Sequence, residues 1–202
     1  MKKFITLALA LCMALSATVC VSAAEISSDG GSGSTPVYLS STEDGTMEGE
    51  PSATAMSVTV PTALPMAMSQ TGDVTTADNC QIINHSYGAV RVKSVTISAE
   101  NGWRLTAFGD KSTLASEKVD SNKLGFALSI GGGTQVMTDT SDESTQMLIS
   151  APISGCYMSG SGNPSSNTVT VDYNAIVTPL SNAVTNANIA NVVFVIEWDT
   201  AA

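Results

Sequence analysis

His85 is the only histidine in the chain, so a Ser-His-Asp relay would have to be built on it. It sits in "NCQIINHSYGAV", which reads as a strand running into a polar turn at Asn84 to Gly88, and a turn histidine is the expectation. No H-E-x-x-H, C-x-x-C or paired-histidine spacing occurs, so no zinc site is expected. Asp73, Asp78, Asp139 and Asp142 stand in "TGDVTTADN" and "TDTSDES". Neither segment has the alternating oxygen ligands of a D-x-D-x-D-G calcium loop, so both read as acidic surface loops. Gly131, Gly132 and Gly133 lack the Lys-Ser/Thr pair and the following helix of a phosphate loop. They read as a hairpin turn, where positive φ is needed. Glycoside chemistry needs two carboxylates that meet in space, and Glu100, Glu117 and Glu197 belong to no recognisable motif. The expectation is a protein with no catalytic residues, no metal and no cofactor.

The elements that carry these residues alternate with a period of two. In "AVRVKSVTISA", Val90, Val92, Val95 and Ile97 oppose Arg91, Lys93, Thr96 and Ser98. The phase slips at Lys93 and Ser94, as a β-bulge or two successive strands would produce. "GWRLTAF" sets Trp103, Leu105 and Ala107 against Arg104 and Thr106. "LGFALSI" repeats the pattern with Leu124, Phe126, Leu128 and Ile130. "MSVTVP" and "TVTVDYNAIV" add strands, and the nearly all-apolar "NVVFVIEW" reads as a central one. β-Branched and aromatic residues fill these runs, with Gly, Asn, Asp, Ser and Pro between them. The best helical stripe, "LSNAVTNANIA" over 180–190, is weakened by its Asn and Thr residues. The fold class expected is all-β: a single antiparallel β-sandwich of Ig-like or Greek-key type.

The ends of the chain bound its compartment. Lys2 and Lys3, an apolar run from Phe4 to about Val21, and the small residues Ser22 to Ala24 make a signal peptide over 1–24. Residues 25–54 are rich in Gly, Ser, Thr, Pro and acids, with no apolar period, and read as a flexible linker. "PVYLS" inside it is the one stretch that reads as a short docking strand. The sandwich then spans 55–202. Losing Lys2 and Lys3 with the leader leaves 6 basic residues against 18 acidic ones, a net charge of about −12. Such a chain repels nucleic acid and anionic lipid, and no membrane segment is expected in the mature form. Cys80 and Cys156 survive the cut, two thiols in an exported protein where a disulfide can persist. The sequence leaves both the pair and two free thiols open.

Trp103 is first a core residue of a sandwich strand. The 50 residues "VTVPTALPMAMSQTGDVTTADNCQIINHSYGAVRVKSVTISAENGWRLTA" nonetheless resemble the WxL-type cell-surface domains of Gram-positive bacteria. Gly102, Trp103, Arg104, Leu105, Thr106 and Ala107 match that family's first motif, G-W-x-L-T-A. The order of signal peptide, variable linker and C-terminal β domain matches too. The resemblance implies an exported β-sandwich held non-covalently to peptidoglycan at the cell surface, with Trp103 and Leu105 in the attachment role. The second family motif departs here: Trp198 is in place, but Thr200 stands where Leu is expected. No L-P-x-T-G sortase signal appears, so non-covalent retention on the wall or plain secretion is expected. The alternative reading is a structural or adhesin-type subunit of a surface complex or fibre, whose partners are other surface proteins joined through sheet edges.

Overall fold

The computed structural model describes residues 55–200, so the leader, most of the linker and "PVYLS" lie outside the described residues. Twelve strands and one short helix follow in order. They are β1 (Val58–Thr59), β2 (Met66–Met68), β3 (Val74–Thr76), β4 (Gln81–Asn84), β5 (Val90–Ala99) and β6 (Arg104–Thr106). After α1 (Ser112–Ala115) come β7 (Lys123–Ile130), β8 (Val136–Met137), β9 (Thr145–Ile149), β10 (Tyr157–Met158), β11 (Thr168–Val177) and β12 (Ala190–Trp198).

The strands form two main sheets. One runs β1-β4-β11-β7-β6, with β8 sharing the β6 edge of β7; the other runs β10-β5-β12, with β9 also on β5. The core is the space between them. Ile82, Leu124, Leu128, Ile130 and Val171 enter from the first sheet and Val90, Val92, Val95, Ile97 and Ile149 from the second, all buried. These include the apolar sides expected of β5 and β7, so the all-β sandwich expectation holds. Burial of this many β-branched and aliphatic side chains, at about 25 cal/mol per Å² of apolar area, is the main stabilising term.

Three features depart from the sequence reading. The sandwich is not purely antiparallel: β6 runs parallel to β7, pairing Arg104 with Lys123 and Leu105 with Leu124. The sixteen-residue crossover through α1 makes that geometry reachable. The weak helical stripe over 180–190 forms no helix, in keeping with its Asn and Thr residues, and β12 begins at Ala190. A small β2–β3 hairpin also forms, with Met66 opposite Thr76. Finally, β12 is an edge strand and not a central one: it pairs along its length with β5, and no described strand occupies its other side.

The phase slip in β5 is a bulge. Val195 pairs with Ser94 and Ile196 with Val92, so Lys93 has no partner opposite it. The extra residue is what allows Val92 and Val95, three apart, to point into the same core.

Two buried polar groups hold the ends of the sandwich. Thr138 sits where β6 and β8 share the edge of β7. Its Oγ1 donates to Thr106 O (2.6 Å) and accepts from Phe126 N (2.9 Å). Tyr173 on β11 is buried, which raises the pKa of its phenol. Its hydroxyl donates to Pro65 O (2.6 Å) and accepts from Ala77 N (3.2 Å), pinning both ends of the β2–β3 hairpin. Tyr173→Phe is therefore expected to cost about 1–2 kcal/mol. The loss should be local, read as faster amide exchange at Ala77 and through β2–β3 while β7 and β11 stay protected.

Candidate surface-contact site

The G-W-x-L-T-A segment begins at a tight turn. Trp103 N donates to Glu100 O at 3.0 Å, and the two central residues, Asn101 and Gly102, have φ of 50° and 81°. Positive φ at both positions is what a type I′ turn needs, and Asn-Gly is the pair that supplies it at least cost. Here the turn does not close a hairpin. It carries the chain from the end of β5 in one sheet to β6 in the other.

Backbone bonds lace this segment to three loops. Arg104 N donates to Asn122 O (2.8 Å), Leu105 N to Glu143 O (2.7 Å) and Glu100 N to Ile189 O (2.9 Å). Amide side chains reinforce the last connection. Asn101 Nδ2 donates to Asn188 O (2.8 Å), and Asn191 Nδ2 donates to Glu100 Oε1 (2.7 Å). Arg104 is exposed, with Nη1 at 3.5 Å from Glu143 and Nη2 at 3.3 Å from Ser121 O.

The motif residues divide by exposure. Leu105 is 1% exposed and belongs to the core, so it cannot touch a wall polymer without the sandwich opening, and its attachment role is corrected to packing. Trp103 is half-buried and rests on the core. Ala107 is exposed, not on the apolar side with them, because the strand ends at Thr106. Beyond it the chain passes over Gly125, where a Cβ would come within 2.8 Å of Ala107 O.

Trp198 does not join this group. It pairs with Val90 at the start of β5, and its indole lies over Gly88, within 3.0 Å of where a Cβ would stand. Trp103 follows the other end of β5. Nine strand steps of about 3.3 Å put the two indoles roughly 30 Å apart. Thr200, past the end of β12, is exposed, so nothing at that position requires Leu. Around Trp198 the charges form a cluster: Glu197 lies 2.8 Å from Arg91 Nε and 3.1 Å from Lys93 Nζ, and Asp199 lies 3.3 Å from Arg91. Lys93 and then Arg91 hold the Glu197 carboxyl below its usual range.

Cys80 and Cys156 are free thiols, one half-buried beside β4 and one buried beside β10. The two strands lie in different sheets, and no disulfide joins them. Desolvation raises the pKa of the Cys156 thiol.

The other chemistry-bearing residues have local partners. His85 Nε2 lies 3.0 Å from Thr59 Oγ1, at the turn expected for it. The side chains and then the backbone N–H groups of Ser141 and Ser144 hydrogen-bond to Asp139 and Asp142 (backbone N at 2.7 Å and 2.6 Å), which lowers both pKa values. No group of three or more His, Cys, Asp or Glu is placed to share a metal among the described residues. Gly131 and Gly132 do form the turn leading into β8, with φ of 55° and 68°. A groove of about 420 Å³ lies between the tip of the β2–β3 hairpin, α1 and the segment 177–180. Its Lys111 is paired with Asp73, and its Asp110 accepts from Ser112 N at 2.8 Å. The β2–β3 hairpin, and with it this groove, escaped sequence reading because its strands are three residues each. Comparison of the chain with protein-family models, curated proteins and solved structures finds no match.

Proposed function

We propose that this is an exported bacterial surface protein that works by adhesion and not by turnover, held non-covalently to peptidoglycan through its β-sandwich. The observation that carries the reading is the partly exposed Trp103 on a rigid corner. The turn at Asn101–Gly102 fixes its backbone, Leu105 anchors the next strand in the core, and Arg104 with the amides of Asn101, Asn188 and Asn191 supplies polar groups nearby. An indole offers a large apolar face and one N–H donor at little entropic cost, which suits contact with a glycan that is apolar on its ring faces and polar at its edges. The resemblance of residues 58–107 to the WxL-type domains supplies the wall as the polymer. In this reading the motif has two jobs: Leu105 maintains the fold and Trp103 makes the contact.

Pelleting of the purified protein with peptidoglycan sacculi tests this. The protein is expected in the pellet at low and moderate salt, and Trp103→Ala is expected to weaken retention on the order of tenfold, as loss of an aromatic anchor does. Trp103→Phe, which keeps a ring in place, should retain most of the binding, and each variant is checked by its melting temperature. A wild-type protein that stays in the supernatant at both salts rules the reading out.

A further inference from the structure

The edge of β12 is the longest unpaired strand edge among the described residues. Its nine residues, Ala-Asn-Val-Val-Phe-Val-Ile-Glu-Trp, hold no proline and no lysine, two of the devices that usually block edge-to-edge pairing. Val192, Phe194 and Ile196 face inward, while Val193 and Val195 stand 53% and 41% exposed on the outer surface. The extra residue of the bulge lies in β5, so β12 keeps unbroken alternation along its free side.

The strand is also self-complementary. If two copies pair antiparallel about a two-fold axis at Phe194, the apolar centre of the strand meets itself. Val193 faces Val195 of the second copy, Val192 faces Ile196, and Asn191 faces Glu197. At each end the small Ala190 lies beside the large Trp198. No like charges are opposed, because the two Glu197 carboxylates are six steps, about 20 Å, apart. The outward pairs would extend a row of Val193, Thr96 and Met147 that already crosses the sheet. Thr96 sits between Val193 and Met147 in the strand register, and Met147 is exposed as well.

We infer that β12 pairs with β12 of a second copy of this chain, antiparallel and centred on Phe194, joining two four-stranded sheets into one of eight. The interface is isologous, so it closes at two copies and does not propagate into a fibre. It uses none of the residues around Trp103, so it holds or fails separately from wall contact.

The test is the mass of the purified protein by light scattering after size exclusion, across a hundredfold range of concentration. Wild type is expected to have the mass of two chains. Two double variants probe the register, both at exposed positions that the folded chain tolerates. Val193→Lys with Val195→Lys opposes like charges twice and should weaken pairing at least about tenfold. Val193→Lys with Val195→Glu opposes unlike charges at the same two places and should keep the dimer. Melting temperatures confirm that both variants fold. A wild-type monomer at all concentrations overturns the proposal, as does equal behaviour of the two variants. A dimer that survives Val193→Lys with Val195→Lys but is lost with Tyr38→Pro would overturn it in favour of a strand donated from residues 36–40.

Discussion

Gly155→Ala should destabilise the sandwich by about 2–5 kcal/mol, through strain and close packing together. Gly155 has a φ of +91°, where a Cβ is strained, which alone costs roughly 1–2 kcal/mol. Space adds the rest: that Cβ would lie 2.0 Å from Ile130 O. Ile130 ends β7 in one sheet, and Gly155 precedes β10 in the other. The contact is reciprocal, since a Cβ on Gly131 would meet Gly155 O at 2.6 Å and one on Gly133 would meet Ser154 O at 2.0 Å. The atoms in the way are backbone and cannot rotate aside, so relief requires the two loops to separate, with an overpacking cost of about 1–3 kcal/mol. Gly132→Ala is the control. It shares the positive φ, at +68°, but its Cβ meets nothing within 4 Å, so about 1 kcal/mol is expected. Urea midpoints of the two variants decide the matter. Equal losses would mean that the close approach of these loops is not what the glycines serve.

Asn84→Asp is expected to cost about 3–5 kcal/mol at neutral pH, through charge and not through shape. Asn84 is fully buried at the end of β4. Its Nδ2 donates to Gly88 O (2.9 Å) and Ser159 O (2.8 Å), and its Oδ1 accepts from Ser86 N (2.9 Å). Ser86 Oγ in turn accepts from Ser57 N (2.8 Å), so one amide ties β1, the turn after β4 and the loop before β11. An aspartate has the same outline but points an oxygen at two carbonyls. The folded state would then favour its protonated form, so its pKa is raised above the unfolded value of about 3.9. The native state holds that proton where the unfolded chain has lost it, so stability falls as pH rises through the window above that value. The variant should therefore approach wild type in acid and diverge from it toward neutrality. A difference between the two that does not change with pH would show that the amide's bonds to Gly88 and Ser159 are not the cause.

The long strands were legible because their side chains alternate over eight or more residues. β5 and β7 came out with their core faces and β11 as a strand, and the phase slip at Lys93 and Ser94 pointed to either a bulge or two successive strands, of which the bulge is the one that forms. The position of β12 could not be read. Val192 to Ile196 are all apolar, and an unbroken apolar run fits a strand covered on both faces as well as one that exposes Val193 and Val195. β2, β3, β9 and β10 were missed because a short strand carries too few inward side chains to set a period. At the candidate site, Trp103 and Leu105 were legible as neighbours on one chain segment. That Leu105 is sealed while Trp103 is half-open depends on three loops arriving from residues 118–122, 142–144 and 188–191. The separation of Trp103 from Trp198 depends on where β12 pairs along β5, a long-range register that local spacing does not encode.

The two unjoined cysteines have a practical consequence. Cys156 is sealed in the interior, and burial raises its pKa, so it offers almost no thiolate to an alkylating reagent while the domain is closed. In a chain whose other cysteines, Cys12, Cys20 and Cys80, are replaced by Ser, each labelling event would register one opening of the sandwich around β10. The molecule thus contains its own clock for rare excursions from the native state, readable by mass without any added probe.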